Sequence, residues 1–160
     1  MGNYLQMERT TQLALVLDAI ASLQRLTELF HRRRVELARA VGITEQQWSV
    51  LEEISTEHFM PSLFAKARES TAAAVSKILR QLLDKGLVRV SISSNDGRQR
   101  EYGLTASGRS TMSRLRRARQ RAIDAVWMQL DEVELRRFVG TGSVIANSIE
   151  AYAAITAGRT

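Results

Sequence analysis

Apolar residues recur along this chain with two different periods, and the change of period divides it. From Thr71, the residues Val75, Ile78, Leu79 and Leu82 fall at i, i+3, i+4 and i+7, the single apolar stripe of an amphipathic helix. Thr71 stands before three alanines as an N-cap, and Gly86 stands where a left-handed C-cap belongs. After Gly86 the period becomes two: Leu87, Arg89 and Ser91 alternate with Val88, Val90 and Ile92, which predicts a strand. Glu101 to Leu104 can return alongside it. The intervening SSNDGRQR carries Asn95, Asp96 and Gly97, residues with turn chemistry, and Thr105 is placed to cap a further helix.

The flanking segments are helical in pattern. About Met7 to Arg34 reads as one long helix, within an N-terminal helical region spanning residues 7–40. Leu13, Val16, Leu17, Ile20 and Leu23 form one stripe of it, widened by Leu15, Ala19, Leu26, Leu29 and Phe30. A helix apolar over so much of its circumference is expected to be covered by more than its own fold unit. His31-Arg32-Arg33-Arg34 ends that pattern and is expected to cap the helix electrostatically at its C-terminal end, with phosphate binding as the alternative. Thr44-Glu45-Gln46-Gln47 is a capping box that opens a helix with Trp48, Leu51 and Ile54 inward. Pro61-Ser62 opens a short one. Thr105 to Leu130 predicts a basic helix, and Asp131 to Glu134 a second capping box before a last helix, which Gly140 and Gly142 interrupt as a kink or a close contact. The sum is a mainly α chain with one small β-hairpin: helix, hairpin and helix in the order of a winged helix-turn-helix.

Charge sharpens this picture. The net charge is +6, but residues 66–121 hold 14 Lys and Arg against 4 Asp and Glu, a net +10, leaving −4 for the remainder. Cations gathered on the helix and hairpin are the footprint of a nucleic-acid binder, whose affinity comes largely from neutralising phosphates. No apolar run of 18 residues marks a membrane span, no leader-like segment is present, and there is no cysteine for disulfide or thiolate chemistry, so a cytoplasmic protein is expected. His31 and His58 lie in separate segments, and no metal-ligand or Gly-rich phosphate motif accompanies them. The expectation is a non-enzyme without cofactor or metal.

The run from Val75 to Val88, VSKILRQLLDKGLV, together with the spacing of Asp96, Arg98, Leu104 and Thr105 in the hairpin, resembles the MarR (multiple-antibiotic-resistance regulator) family of transcription factors. The likeness extends loosely from about Leu13 to Tyr152. It implies a single domain over residues 1–160, with a dimerisation helix at 7–40, a winged helix-turn-helix DNA-binding lobe at 44–108 and C-terminal dimerisation helices at 109–155. It also implies a homodimer on a palindromic operator, commonly a repressor, and a small aromatic or phenolic carboxylate as effector. Two departures stand out. Arg68-Glu69-Ser70 replaces the usual apolar residue and Gly of the turn, and Ala72, Ala73 and Ala74 replace the polar residues that often start the recognition helix.

The DNA-contacting set expected from this reading is Thr71, Ala72, Ala73, Ser76, Lys77 and Arg80 on the helix, with Asp96, Arg98 and Arg100 in the hairpin loop. Small residues permit close approach, cations meet phosphates, and Asp96 is expected to orient Arg98 toward a minor groove or its phosphates. An alanine methyl can meet a thymine methyl but cannot donate to a base edge, so polar base reading falls to Thr71, Ser76, Lys77 or Arg80. For an anionic aromatic ligand the candidates are His31, Arg34, Trp48 and His58: cation or imidazole beside an aromatic wall. Each also has a plainer role as cap, core or surface. A nonspecific or architectural DNA binder without effector is the alternative function, and an interaction module whose winged helix meets protein is a third.

Overall fold

The computed structural model describes residues 2–56, 59–92 and 100–157, with side chains from Arg9 onward. Its elements are α1 (Gly2–Ala40), α2 (Glu45–Ile54), α3 (Pro61–Ala67), α4 (Ala72–Asp84), β1 (Val88–Ile92), β2 (Arg100–Leu104), α5 (Ala106–Val126), a 3-10 turn (Trp127–Gln129) and α6 (Glu132–Ala157). The chain is mostly helical with one antiparallel hairpin, a winged helix-turn-helix. It forms two compact units, Met1–Arg116 and Arg117–Thr160.

The first unit holds the core. Leu51 on α2, Val75, Leu79 and Leu82 on α4, Val88 on β1 and Leu115 on α5 are all buried, so the helical stripe predicted for α4 is the face that α4 hides. Thr44 accepts from the Gln47 N–H while the Gln47 side chain accepts from the Thr44 N–H, the reciprocal capping box expected at α2. Gln47 has a second task. Although only 3% exposed, its Nε2 donates to Gln81 Oε1 on α4 at 3.0 Å, which satisfies a buried amide and fixes α4 against α2. At the far end of α4 the Lys85 Nζ donates to the Gly42 carbonyl at 2.8 Å, tying the helix to the α1–α2 turn. Gly42 and Gly86 both take the left-handed conformation.

β1 and β2 pair with Val88 opposite Leu104, Val90 opposite Tyr102 and Ile92 opposite Arg100. Arg100 was expected in the loop; it is instead the first residue of β2, held by the ladder. Tyr102 meets Phe59 edge-on at 5.9 Å, and Phe59 meets Phe64 of α3 at the same distance, so an aromatic chain joins the hairpin to α3.

The hairpin's return is held by a tight junction. The Thr105 hydroxyl donates to the Gly86 carbonyl at 2.7 Å and accepts from the Gly108 N–H at 3.0 Å, while the Thr105 N–H donates to the Leu87 carbonyl. A Cβ at Gly108 would lie 2.1 Å from the Leu87 carbonyl oxygen. Only glycine lets the first turn of α5 lie this close to the backbone that enters β1.

One long-helix expectation needs correction. α1 does not end at His31-Arg34 but continues to Ala40, because Val35, Leu37 and Ala38 give its last turns an inward face. The basic run therefore sits inside the helix and cannot cap its C-terminus. α6 continues through Gly140 and Gly142, where added Cβ atoms would meet no described atom within 4 Å. In the second unit, Asp131 and Glu134 form the expected reciprocal cap of α6, and Trp127 meets Phe138 edge-on at 5.8 Å.

Gly108→Ala separates propensity from packing. In an exposed helix it would stabilise by up to about 1 kcal/mol; here the overlap with the Leu87 carbonyl should reverse the sign and cost about 1–3 kcal/mol. Urea unfolding of the variant reads this directly, and a more stable Gly108→Ala protein would show that the junction yields.

Candidate nucleic-acid interface

α4 presents outward whatever its buried stripe leaves over. With Val75, Leu79 and Leu82 inward, helical spacing places Ala73, Ser76, Lys77, Arg80 and Asp84 on the opposite side, and all five are exposed. Ala72 is exposed beside them at the first turn. Lys77 and Arg80 have no ion-pair partner among the described residues. The face thus reads small, small, polar, cationic, cationic, and closes with the acid Asp84. Thr71 caps the helix: its hydroxyl accepts from the Ala74 N–H at 3.1 Å, which commits one lone pair and leaves the hydroxyl hydrogen available.

The turn before α4 is where the sequence departed from its relatives. Glu69 adopts φ +48°, a left-handed conformation in which glycine is at ease and glutamate is strained. The Ser70 N–H donates to the Ala65 carbonyl at 2.9 Å, closing the turn. Arg68 lies with its guanidinium 5.6 Å from the Phe64 ring centre and has no carboxylate partner among the described residues. The hairpin adds Arg89 and Arg100, both exposed. Asp96 and Arg98, the two residues expected to lead the wing's contact, lie outside the described residues.

Of the four ligand candidates, three come together where α1 meets α2. The Arg34 guanidinium sits 4.2 Å from the Trp48 ring centre. Its Nε faces Glu45 at 3.2 Å, and its Nη2 donates to Glu52 at 2.8 Å and to Ser49 Oγ at 3.2 Å. His31 Nδ1 is 3.2 Å from the other oxygen of Glu45. His58 lies outside the described residues. Trp48 is core, yet among the described residues its buried Nε1–H has no acceptor. Arg34 is already held by two carboxylates, so a ligand carboxylate must exchange with Glu45 or Glu52 to reach it. Sequence reasoning also missed a cleft of about 290 Å³ behind α4, where Ser49 of α2, Phe64 of α3 and Arg68 of the turn face Ala74, Val75 and Ile78. It joins residues from three elements at unrelated spacings, and no local pattern marks it. Among the described residues no group of three or more His, Cys, Asp or Glu could hold a metal ion, and no helix is long and apolar enough to cross a membrane.

Residues 41–99, from the α1–α2 turn through the hairpin loop, match the model of the MarR family. Among solved structures, a MarR family transcription regulator is similar at 18% identity and a TM-score of 0.80, over 90% of this chain and 96% of its own. The MepR–DNA complex from S. aureus is similar at 20% identity and a TM-score of 0.64, over 79% of this chain and 93% of that one. S. aureus MepR bound to ethidium bromide stands at 22% and 0.57, over 79% and 95%. No curated protein matches the chain. The family model thus matches the segment in which the likeness is read, and the solved structures show the shared fold.

If the outward face of α4 meets phosphates, Lys77→Ala and Arg80→Ala should each lower the slope of log affinity against log salt by roughly 0.9 on duplex DNA. Neither should move the thermal midpoint, since both side chains are exposed and off the buried stripe. Unfolding of either variant would show that the face has been misassigned.

Proposed function

We propose that this chain, whose winged segment matches the MarR family and whose fold is that of MarR-family transcription regulators, is a dimeric, sequence-specific DNA-binding regulator, a repressor released by a small aromatic or phenolic acid. The observation that carries the DNA reading is the outward face of α4: small residues for close approach, then two cations without ion-pair partners among the described residues, on a helix held by Gln47 and Lys85. The MepR structure with DNA, similar in fold, lends support. In this reading α4 enters a major groove. Arg98, oriented by Asp96, reaches the neighbouring minor groove or its phosphates, with Arg100 behind it on β2.

The architectural alternative needs no defined dimer. Against it stand the long helices, each of which leaves apolar side chains in water: Leu13, Leu17, Ile20 and Phe30 on α1, and Phe138, Val144, Ile149 and Tyr152 on α6. Obligate interfaces resemble a core cut in half, and a second copy would cover such stripes. A palindromic operator with half-sites roughly 10 bp apart follows from two-fold symmetry.

For the effector, the supporting site is the Arg34–Trp48 junction. An aromatic acid there would stack on the apolar wall, take Arg34 from Glu45, and offer an acceptor to the unsatisfied Trp48 Nε1–H. Its effect on DNA depends on differential affinity for the two arrangements of the heads; about 1.4 kcal/mol suffices for a tenfold loss of operator affinity.

Enrichment from a random duplex library tests the function: a palindrome should emerge and be bound more tightly than bulk DNA. Arg98→Ala should weaken that binding severely and leave the dimer folded. Leu17→Asp or Ile149→Asp should abolish both dimer and palindrome binding. A panel of aromatic carboxylates, followed by tryptophan fluorescence and DNA release together, tests the effector. Binding without DNA release would remove this class from the mechanism.

A further inference from the structure

α1 is attached to the first unit by a short length of its C-terminal end. Among its described side chains only Ala38 is buried, with Arg34, Val35 and Leu37 partly so. Everything from Arg9 to Arg33 is exposed, including the apolar stripe assigned above to the partner copy. Within the attachment, His31 adds a contact to Glu45, and Arg34 grips α2 at three side chains. Its contacts at Glu45, Ser49 and Glu52 are spaced four and three residues apart, successive positions on one face of α2, and the guanidinium lies over Trp48 between them. From α2 the connection continues through the Gln47–Gln81 amide pair into α4, and Lys85 closes it on the Gly42 carbonyl.

We infer that Arg34 is a positioning residue for DNA recognition: it sets the angle between α1 and the reading unit and so the spacing at which two α4 helices meet their half-sites. The inference rests on the dimeric DNA-binding reading above and adds a role for a residue that touches no DNA in it. Geometry gives the sensitivity. From Arg34 back to Leu13, α1 is an arm of about 30 Å at 1.5 Å per residue. Adjacent base pairs are about 3.4 Å apart, so a tilt of about 6–7° at the joint displaces a reading head by one base pair. A joint made of apolar contact alone would tolerate such a tilt, because burial is non-directional. A guanidinium fork held by two carboxylates does not, since its donors have fixed directions.

The experiment uses the full chain and duplexes carrying the enriched half-sites at the natural separation and at one and two base pairs shorter and longer. Wild-type protein should show one sharply favoured separation. Arg34→Met keeps an apolar stem over Trp48 but removes the fork, and the paired Glu45→Gln/Glu52→Gln variant leaves Arg34 in place but removes its charged partners. Both should lose about tenfold in affinity at the favoured separation, the low end for hydrogen bonds to charged groups, with affinities at neighbouring separations drawn together. Dimer mass and affinity for random DNA should stay as in the wild type, and Arg34→Lys should restore part of the preference. A purely structural role would lower the thermal midpoint and scale all separations equally. A spacing profile in both variants parallel to that of the wild type overturns the inference and leaves the DNA-binding reading standing. If the wild type itself selects no palindrome, both fall, and the two failures are told apart by the wild-type profile alone.

Discussion

What α4 can offer to a partner is decided by what it must hide. Burying Val75, Leu79 and Leu82 is worth about 1.5–3 kcal/mol for each side chain, far more than any outward residue of the helix contributes to folding. That stripe chooses the face, and Ala73, Ser76, Lys77 and Arg80 are exposed as its consequence. Apolar burial sets the face but only loosely the position, because it has no preferred direction. The bond from the buried Gln47 amide to Gln81 supplies the direction, since leaving the Gln47 amide unsatisfied would cost about 1–3 kcal/mol. The two effects divide the work: one presents the cationic face, the other holds it still.

The parts legible in the sequence are those whose causes are local. Thr44 and Thr71 cap their helices through side chains that reach only three residues ahead, and the stripe of α4 is a period within one element. The hairpin and its helical flanks followed for the same reason. The illegible parts join residues far apart in the chain. Nothing near Gln47 announces Gln81, and nothing near Arg34 announces Glu52. Gly108 reads as an ordinary helix residue until the Leu87 carbonyl is found against it. Arg34 shows the hazard of reading charge by type: it was read as a helix cap or a free cation for an anionic ligand, and its two carboxylate partners make it a joint. Glu69 is the reverse case, where the departure from its relatives was visible and its left-handed backbone was not.

Two classes of cation follow. Among the described residues Lys77 and Arg80 have no carboxylate partner, and a phosphate would meet no ion pair to break there. Arg34, at 29% side-chain exposure between two acids, must first lose a partner, so an anion reaching it exchanges one bond for another. The net gain of that exchange is small, while its effect on a directional joint need not be. A cation already paired is a poor anchor for affinity and a good place for regulation, because the competing state is built into the resting one.

The long helices impose the remaining constraint. None of the described residues of α6 is buried within the chain, although Phe138, Val144, Ile149 and Tyr152 lie along it. Helical propensity alone leaves a segment of this length marginal in water, and proteins stabilise such helices by packing an apolar face. Gly140 and Gly142 deepen the deficit, each costing about 1 kcal/mol relative to alanine in a helix interior. On the dimeric reading proposed above, such a helix would gain its order from association, and its folding and its assembly would be one equilibrium. The apparent stability of the second unit should then rise with protein concentration while the core of the first, closed by Leu51, Leu82 and Leu115, responds less. Unfolding followed at several concentrations separates the two, with far-ultraviolet ellipticity reporting all helices and the fluorescence of a Trp127→Phe variant, which keeps only Trp48, reporting the first core. Curves that coincide at every concentration would place the stability of α6 within the single chain.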